Sequence, residues 1–142
     1  MKILIAVDGS KHALAAVQCV IDHADWYRGK PSVELLTVHR PVPSFHGMSV
    51  VVGKAQLERY YHDEGAAALS AAQKKLAAAG ITYVPRILVG PVAERIVAHA
   101  RRAKCNLICI GSRGMGDLGK ALLGSTATKV LNVSDLPVLL VK

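Results

Sequence analysis

Aromatic residues are scarce in this sequence. Phe, Trp and Tyr together make up 4% of the 142 residues, although hydrophobic residues as a whole make up 51%. The core must therefore be built from Val, Ile, Leu and Ala, a composition typical of a parallel sheet covered by helices on both faces. The length suits one domain with a substantial core and is too short for two ordinary ones, so we expect residues 1–142 to form a single domain.

Long apolar runs and paired cysteines are also missing. No run approaches the roughly 20 residues that a membrane-spanning helix needs. Residue 1 leads directly into a predicted strand, so we expect an untargeted, cytoplasmic protein without membrane contact. The three cysteines, Cys19, Cys105 and Cys109, form no Cys-x-x-Cys pair, which favours buried free thiols over a disulfide framework or zinc knuckle. The six histidines lack ligand spacing, so no metal site is predicted among them.

Acidic residues are fewer than basic ones, and the formal net charge is +8. The 18 Lys and Arg residues are nevertheless scattered, and the densest cluster is Arg101, Arg102 and Lys104. No run reaches the five or six like charges of a basic tail. The charge balance suits an anionic ligand or a charged surface, and nucleic acid is an unlikely partner.

Hydrophobic patterning predicts strands that alternate with helices, which implies a parallel sheet. The predicted strands are 2–7, 32–39, 81–89, 106–110 and 137–141. The first predicted helix has Ser10 as its N-cap, the second spans 54–79, the third opens at Gly90-Pro91 with the proline at its first position, and the last spans 125–133. Pro85 lies inside the third strand and therefore places it at a sheet edge. The segment 40–53 has no clear period and is predicted to be a long loop, either a poorly ordered connection or a lid or contact surface whose 50–52 valines pack against a partner.

Two predicted strands end in residues suited to a phosphate-containing ligand. Asp8 follows the first strand, and Gly111 follows the fourth. Ligands of open parallel sheets bind beyond the carboxyl ends of the strands, so Asp8 and Gly111 would face one crevice if their strands are neighbours. A glycine-rich segment, residues 111–126, then leads into a helix start, where backbone without side chains makes room for phosphate. We therefore predict that residues 111–126 bind the phosphates of a nucleotide.

The glycines of this segment match two patterns. Gly114-x-Gly116-x-x-Gly119 has the spacing of a dinucleotide fingerprint, but that fingerprint requires a following strand that ends in an acidic residue about 20 residues on. Asp135 precedes the last strand instead of ending one, which argues against a dinucleotide site. The other pattern is Gly111-x-x-Gly114, nine further residues, then Gly124-Ser125.

With this second pattern the sequence resembles the universal stress protein family, whose ATP-binding members carry the same glycine signature. The resemblance extends over essentially the whole chain and includes the segments 3–10, 35–39, 90–96 and 137–141. It implies an α/β fold, a single-domain open parallel five-stranded sheet with helices on both faces, Rossmann-like, with strand order 3-2-1-4-5. It also implies ATP, with Mg, as the ligand, and a homodimer formed through the C-terminal strand from Val138 to Val141, which is predicted to be an otherwise unpaired edge.

Each predicted phosphate-binding residue has a physical role. The glycines that let the backbone approach phosphate oxygens are Gly111, Gly114 and Gly124. Ser125 offers a hydroxyl and, with Thr126, a backbone N–H at a helix start whose dipole favours negative charge. Arg113 is a candidate charged donor to a phosphate.

Three earlier residues complete the predicted site. Asp8, as an acceptor, either holds ribose hydroxyls or the water shell of a metal ion, or only caps the first helix. The resemblance to the family implies that Ala6 lies near the nucleotide and that Val38 offers backbone groups to the adenine edge. Gly116 and Gly119 are interpreted as loop residues rather than ligand contacts.

Three functions are compatible with these residues. The favoured one is an ATP-binding stress-response or signalling module that hydrolyses the nucleotide slowly or not at all, since no general base is evident and Walker loops are absent. The second is a slow ATPase or a protein that phosphorylates itself on Ser112, Ser125 or Thr126. The third is a dimeric interaction module that works without nucleotide.

Overall fold

Five parallel strands form one sheet in the order β3-β2-β1-β4-β5 in a computed structural model that describes residues 1–43, 53–115 and 123–142. The strands are β1 (Lys2–Ala6), β2 (Ser32–His39), β3 (Tyr83–Val89), β4 (Leu107–Gly111) and β5 (Val138–Val141). This order confirms the predicted topology and places the proline-containing β3 at an edge. Because β1 pairs with β4, with Ala6 opposite Ile110, the predicted juxtaposition of Asp8 and Gly111 is also satisfied.

Four α-helices cover the two faces of this sheet. They are α1 (Lys11–Asp22), α2 (Lys54–Ala78), α3 (Val92–Arg102) and α4 (Ser125–Val133), and a short 3-10 helix (Ala24–Trp26) follows α1. Buried side chains of α1 and α2 pack on one face, and those of α3 and α4 pack on the other. The core therefore has two apolar layers with β1 buried between them, as the aliphatic composition predicted. In the described part of the chain, no helix is both long and apolar enough to span a bilayer.

Capping interactions are seen at the start of α1 and at the end of α2. The Ser10 hydroxyl accepts a hydrogen bond from the Ala13 N–H at 3.1 Å, which confirms Ser10 as the N-cap of α1. At the end of α2, Gly80 has a φ of +65°, and the N–H groups of Gly80 and Ile81 donate to the carbonyls of Ala77 and Leu76. This is a Schellman motif, in which the second residue beyond the helix turns back onto its last turn.

The motif explains why the predicted start of the third strand was wrong. Ile81 is buried against the helix it caps, so the strand begins at Tyr83 and not at residue 81. Every other strand boundary coincides with the prediction or differs from it by one residue, and both ends of β2 coincide. Pro91 likewise precedes α3 as its N-cap instead of occupying the first helical position.

Gly65 has a packing role in α2 that the sequence pattern did not reveal. A Cβ at this position would lie 2.7 Å from side-chain atoms of Ile87 in β3. The missing side chain therefore lets the helix lie close to the sheet, although glycine lowers helix propensity by about 1 kcal/mol relative to alanine.

A buried polar network joins the amino-terminal half of the sheet to α3. Glu34 in β2 is 4% exposed and accepts from Lys2 Nζ at 2.9 Å and from His99 Nε2 at 3.0 Å, with Arg86 Nε 3.7 Å away. Arg102 Nη2 lies 3.0 Å from His99 Nδ1. Because a guanidinium can only donate, Nδ1 accepts and the ring proton is on Nε2, which donates to Glu34. His99 thus connects a buried carboxylate to an arginine.

Candidate functional site

A cleft of about 410 Å³ opens beyond the carboxyl ends of β1, β2 and β4. This is where ligands bind in open parallel sheets, and the volume suits a small molecule. All nine predicted site residues line this one cleft: Ala6, Asp8, Val38, Gly111, Arg113, Gly114, Gly124, Ser125 and Thr126. The fold therefore brings together residues from four separate segments of the sequence.

Asp8 connects two loops at the floor of the cleft. Its Oδ1 accepts from the Ser10 N–H at 2.9 Å, and its Oδ2 accepts from the Met115 N–H at 3.0 Å. A Cβ on Gly114 would lie 2.8 Å from the same Oδ2. Asp8 therefore does more than cap the start of α1, because it also holds residues 112–115, the glycine loop, against the end of β1.

Gly111 has a packing reason to lack a side chain, beside the predicted approach to phosphate. A Cβ on Gly111 would lie 2.6 Å from the carbonyl oxygen of His12 and 2.7 Å from its carbonyl carbon. The first turn of α1 therefore excludes any side chain here. Gly111 still lines the cleft, but close packing of β4 against α1 is sufficient to require glycine.

The start of α4 forms the wall of the cleft opposite β1. Gly124 is its N-cap, and no side chain of the described residues caps the helix. The Gly124 N–H donates to the Ser112 carbonyl at 2.7 Å, and the Ser112 N–H donates to the Val141 carbonyl at 2.7 Å. Uncapped N–H groups at a helix start favour a negatively charged group, and those at Ser125 and Thr126 lie on this wall.

The described residues that line the cleft carry a net positive charge. Asp8 is its acidic lining residue, whereas Arg40 and Arg113 are basic. Among the residues that the structure describes, neither arginine forms an ion pair. The cleft is therefore better suited to an anion than to a cation.

The thiol nearest to this site in the sheet is not activated. Cys109 lies in β4, is fully buried, and its Sγ donates weakly to the Ala16 carbonyl at 3.7 Å. Burial raises the pKa of the Cys109 thiol to about 12. This cysteine is therefore protonated at neutral pH and is a packing residue, as predicted. Cys19 is partly exposed, which differs from the prediction that all three thiols are buried.

Several lining residues were not identified from the sequence. Leu36 and Arg40 line the cleft together with Val38, and Val92 and Ile96 of α3 face them. A usable signal was present in the strand alternation, since residues 36 and 38 point to the same side of β2 and Arg40 follows at the next alternate position, just beyond the strand. The α3 residues carried no comparable signal, because their periodicity only indicates burial on the sheet.

Some predicted features lie outside the described residues. Gly116 and Gly119 of the rejected dinucleotide fingerprint fall within residues 116–122. The valines at 50–52 of the predicted long loop fall within residues 44–52.

Comparisons with known proteins agree with this architecture. The model of the universal stress protein family matches residues 1–142. A relative from Thermus aquaticus, the universal stress protein in QAH/OAS sulfhydrylase 3'region, is 35% identical over 147 residues, covering 99% of this chain and 97% of the relative.

Solved structures also resemble this chain over nearly its whole length. The structure of hypothetical protein MJ0577 is 30% identical with a TM-score of 0.82, and the match covers 99% of this chain and 94% of that one. A universal stress protein crystallised in complex with cAMP is 26% identical with a TM-score of 0.70, covering 100% of this chain and 97% of the other.

The fold and the cleft define an open five-stranded α/β domain with a ligand-sized cleft at its carboxyl edge. Together with the matches across the whole chain, the fold and the cleft assign the protein to a family. The chain belongs to the universal stress protein family.

Proposed function

We propose that this protein binds an adenine nucleotide, ATP with Mg, in the cleft at the carboxyl edge of the sheet and acts as a nucleotide-dependent stress-response or signalling module in the cytoplasm. One observation carries the proposal. Nine residues that were selected from the sequence as nucleotide ligands line one cleft of about 410 Å³.

The chemistry of the cleft walls supports a ligand with one apolar end and one anionic end. Leu36, Val38, Val92 and Ile96 form an apolar wall on the β2 side. The opposite wall consists of the glycine loop, Arg113 and the uncapped start of α4. A nucleotide has this polarity, with an aromatic base at one end and phosphates at the other.

The relatives support the same class of ligand. A universal stress protein 26% identical to this chain has been crystallised in complex with cAMP. The match to that protein covers both chains almost completely. Adenosine and phosphate are shared by cAMP, AMP and ATP, and the choice among them for this chain is a matter for direct measurement.

The first experiment identifies the ligand. Purified protein is denatured and the released small molecules are analysed by mass spectrometry, and ATP, ADP and AMP are titrated calorimetrically with and without Mg²⁺. We expect an adenine nucleotide in the released fraction and a tighter complex with Mg·ATP than with AMP. If no nucleotide is released and none binds, the proposed function is wrong.

A pair of valine variants tests the location of the phosphates. Gly114→Val places a side chain against Asp8 and into the glycine loop, and we expect it to abolish nucleotide binding while the far-UV circular dichroism stays native. Gly53→Val is the matched control, because a Cβ on Gly53 meets no atom of the described residues within 4 Å and Gly53 is not among the residues that line the cleft. Retained affinity in Gly114→Val would exclude the glycine loop as the phosphate site.

Self-phosphorylation is the second candidate, and side-chain burial narrows its acceptors. Ser112 is 2% exposed, whereas Ser125 is exposed at the start of α4 and lines the cleft. Incubation with ATP labelled on the γ-phosphate distinguishes the functions. Stoichiometric label that Ser125→Ala removes would establish transfer from ATP to the Ser125 hydroxyl with release of ADP, and rapid ADP release without label would establish an ATPase.

We also propose a homodimer that forms through β5. The carbonyls of Pro137 and Val141 accept hydrogen bonds from Ile108 and Ser112 of the β4 side, so the backbone groups of the alternate residues, Val138 and Leu140, face the open edge. Unpaired edges of this kind are usually covered. Sedimentation velocity at micromolar concentration should give twice the mass of one chain. A dimer that never binds nucleotide would instead favour the third function, a nucleotide-independent interaction module.

A further inference from the structure

Arg40 occupies a distinctive position at the end of β2. It follows the strand directly, lies on the same side as Leu36 and Val38, and lines the same cleft as they do. Its side chain is exposed, and among the described residues it has no acidic partner within ion-pair distance. A guanidinium therefore stands at the rim of a wall that is otherwise apolar.

The position of Arg40 at the end of β2 favours contact with the base of a nucleotide over contact with its phosphates. The anion-binding features of the cleft are on the β4 and α4 side, where Arg113, the glycine loop and Ser125 are located. Arg40 belongs to the β2 side, with the aliphatic side chains that suit a base. A planar guanidinium beside such a wall has the geometry to stack on an aromatic ring, and arginine is the cation most often found in this arrangement.

The charged residues Lys129 and Glu94, on the other side of Arg40, pair with each other and not with Arg40. A second cleft of about 370 Å³ shares Arg40, Val92, Ser125 and Thr126 with the first and contains Lys129 and Glu94. Lys129 Nζ lies 2.6 Å from Glu94 Oε1, and this hydrogen bond holds the pKa of Glu94 below its usual value. The lysine and the glutamate therefore pair with each other, and among the described residues that line the second cleft only Arg40 adds a positive charge.

We propose that Arg40 is a positioning residue that stacks on the base of the bound nucleotide and closes the outer side of the base subsite. The inference rests on the proposed nucleotide-binding function. The base lies between the guanidinium of Arg40 and the apolar wall. Arg40 therefore contributes to the affinity for the nucleotide through contact with the base and not with the phosphates.

A ligand series separates stacking from phosphate binding. AMP and ATP are titrated calorimetrically against the wild type and Arg40→Ala at about 50 mM and 300 mM salt. Stacking on a base at an exposed site is expected to be worth about two- to fivefold in affinity. That factor should be the same for AMP and ATP and should change little with salt, because the base is uncharged.

Two further variants make the result decisive. Arg40→Tyr keeps a flat face and removes the charge, so it should restore affinity to near the wild-type value. Arg28→Ala removes an exposed arginine that does not line the cleft and should leave affinity unchanged.

The outcomes distinguish a failure of the proposed nucleotide binding from a failure of the proposed stacking by Arg40. If the wild type binds neither AMP nor ATP, the nucleotide function itself fails. If the wild type binds them and Arg40→Ala binds equally well, Arg40 has no role at the base. A loss that is larger for ATP than for AMP and fades at high salt, or a tyrosine variant as weak as the alanine variant, identifies a charge contact and overturns the stacking assignment.

Discussion

Replacing Gly111 with alanine adds a Cβ 2.6 Å from the carbonyl oxygen and 2.7 Å from the carbonyl carbon of His12. Both neighbours are backbone atoms in the first turn of α1, so neither can rotate away as the end of a side chain would. The added methyl group must be accommodated by separating β4 from α1, and both elements belong to the core of the fold.

The size of the effect follows from two opposing contributions. Inserting a methyl group into a well-packed interior typically costs about 1–3 kcal/mol of stability. Glycine-to-alanine replacement also reduces the entropy of the unfolded chain, which stabilises by roughly 0.4–1 kcal/mol where the backbone conformation allows it. The packing contribution is larger, so we expect a net destabilisation of about 1–2 kcal/mol, or a fall of roughly 3–6 °C in Tm for a chain of this size.

Differential scanning calorimetry of ligand-free protein measures this change without reference to binding. Gly114→Ala is the matched variant, since its Cβ meets only the terminal Oδ2 of Asp8 at 2.8 Å, and a carboxylate can turn aside. We therefore expect a smaller fall in Tm for Gly114→Ala than for Gly111→Ala. An unchanged or higher Tm in Gly111→Ala would refute the conclusion that α1 requires a glycine at the end of β4.

Three other predictions concern stability. Gly65→Ala gains about 1 kcal/mol of helix propensity but overpacks Ile87, so we expect net destabilisation in urea unfolding, and the same substitution should become stabilising in an Ile87→Ala background. Burial would raise the pKa of Glu34, but hydrogen bonds from His99 and Lys2 outweigh it and hold this pKa below the ordinary 4.5. The stability due to ionised Glu34 is therefore complete above about pH 4.5 and is lost as pH falls through the lower folded-state pKa, so the acid-induced fall in the free energy of unfolding should be shallower in Glu34→Gln. Ser10→Ala should cost about 1 kcal/mol through loss of the α1 cap, and an unchanged midpoint of urea unfolding would contradict that role.

Backbone-level features of the fold were accessible from the sequence because they depend on local rules. Pro85 lacks an N–H, so the strand that contains it could be placed at an edge, and that position is confirmed. The aliphatic core and the alternation of strands with helices likewise predicted a parallel sheet covered on both faces. The order of the five strands came from the family resemblance.

Features that depend on contacts between distant residues were not accessible. From the sequence alone, Gly65 only lowers the helix propensity of α2, and its packing role is visible only when Ile87 of β3 is placed against it. Glu34 and His99 are separated by 65 positions, and no spacing rule predicts that they share a buried hydrogen bond. Arg40 was missed for a related reason, since it lies just beyond β2 in the segment 40–53 that was predicted to be a loop, and its place in the cleft depends on α3 and α4.

The backbone hydrogen bonds around Ser112 connect the edge strand β5 to the wall of the cleft at the start of α4. Val141, the last residue of the edge strand, accepts from the Ser112 N–H, and the Ser112 carbonyl accepts from the N–H of Gly124 at the start of α4. The open edge and the cleft wall are thus two hydrogen bonds apart. Sites joined in this way obey thermodynamic reciprocity: if pairing along β5 tightens the hold on a ligand by some factor, occupancy of the cleft strengthens that pairing by the same factor. Affinity measured at one protein concentration would then differ from affinity measured at another.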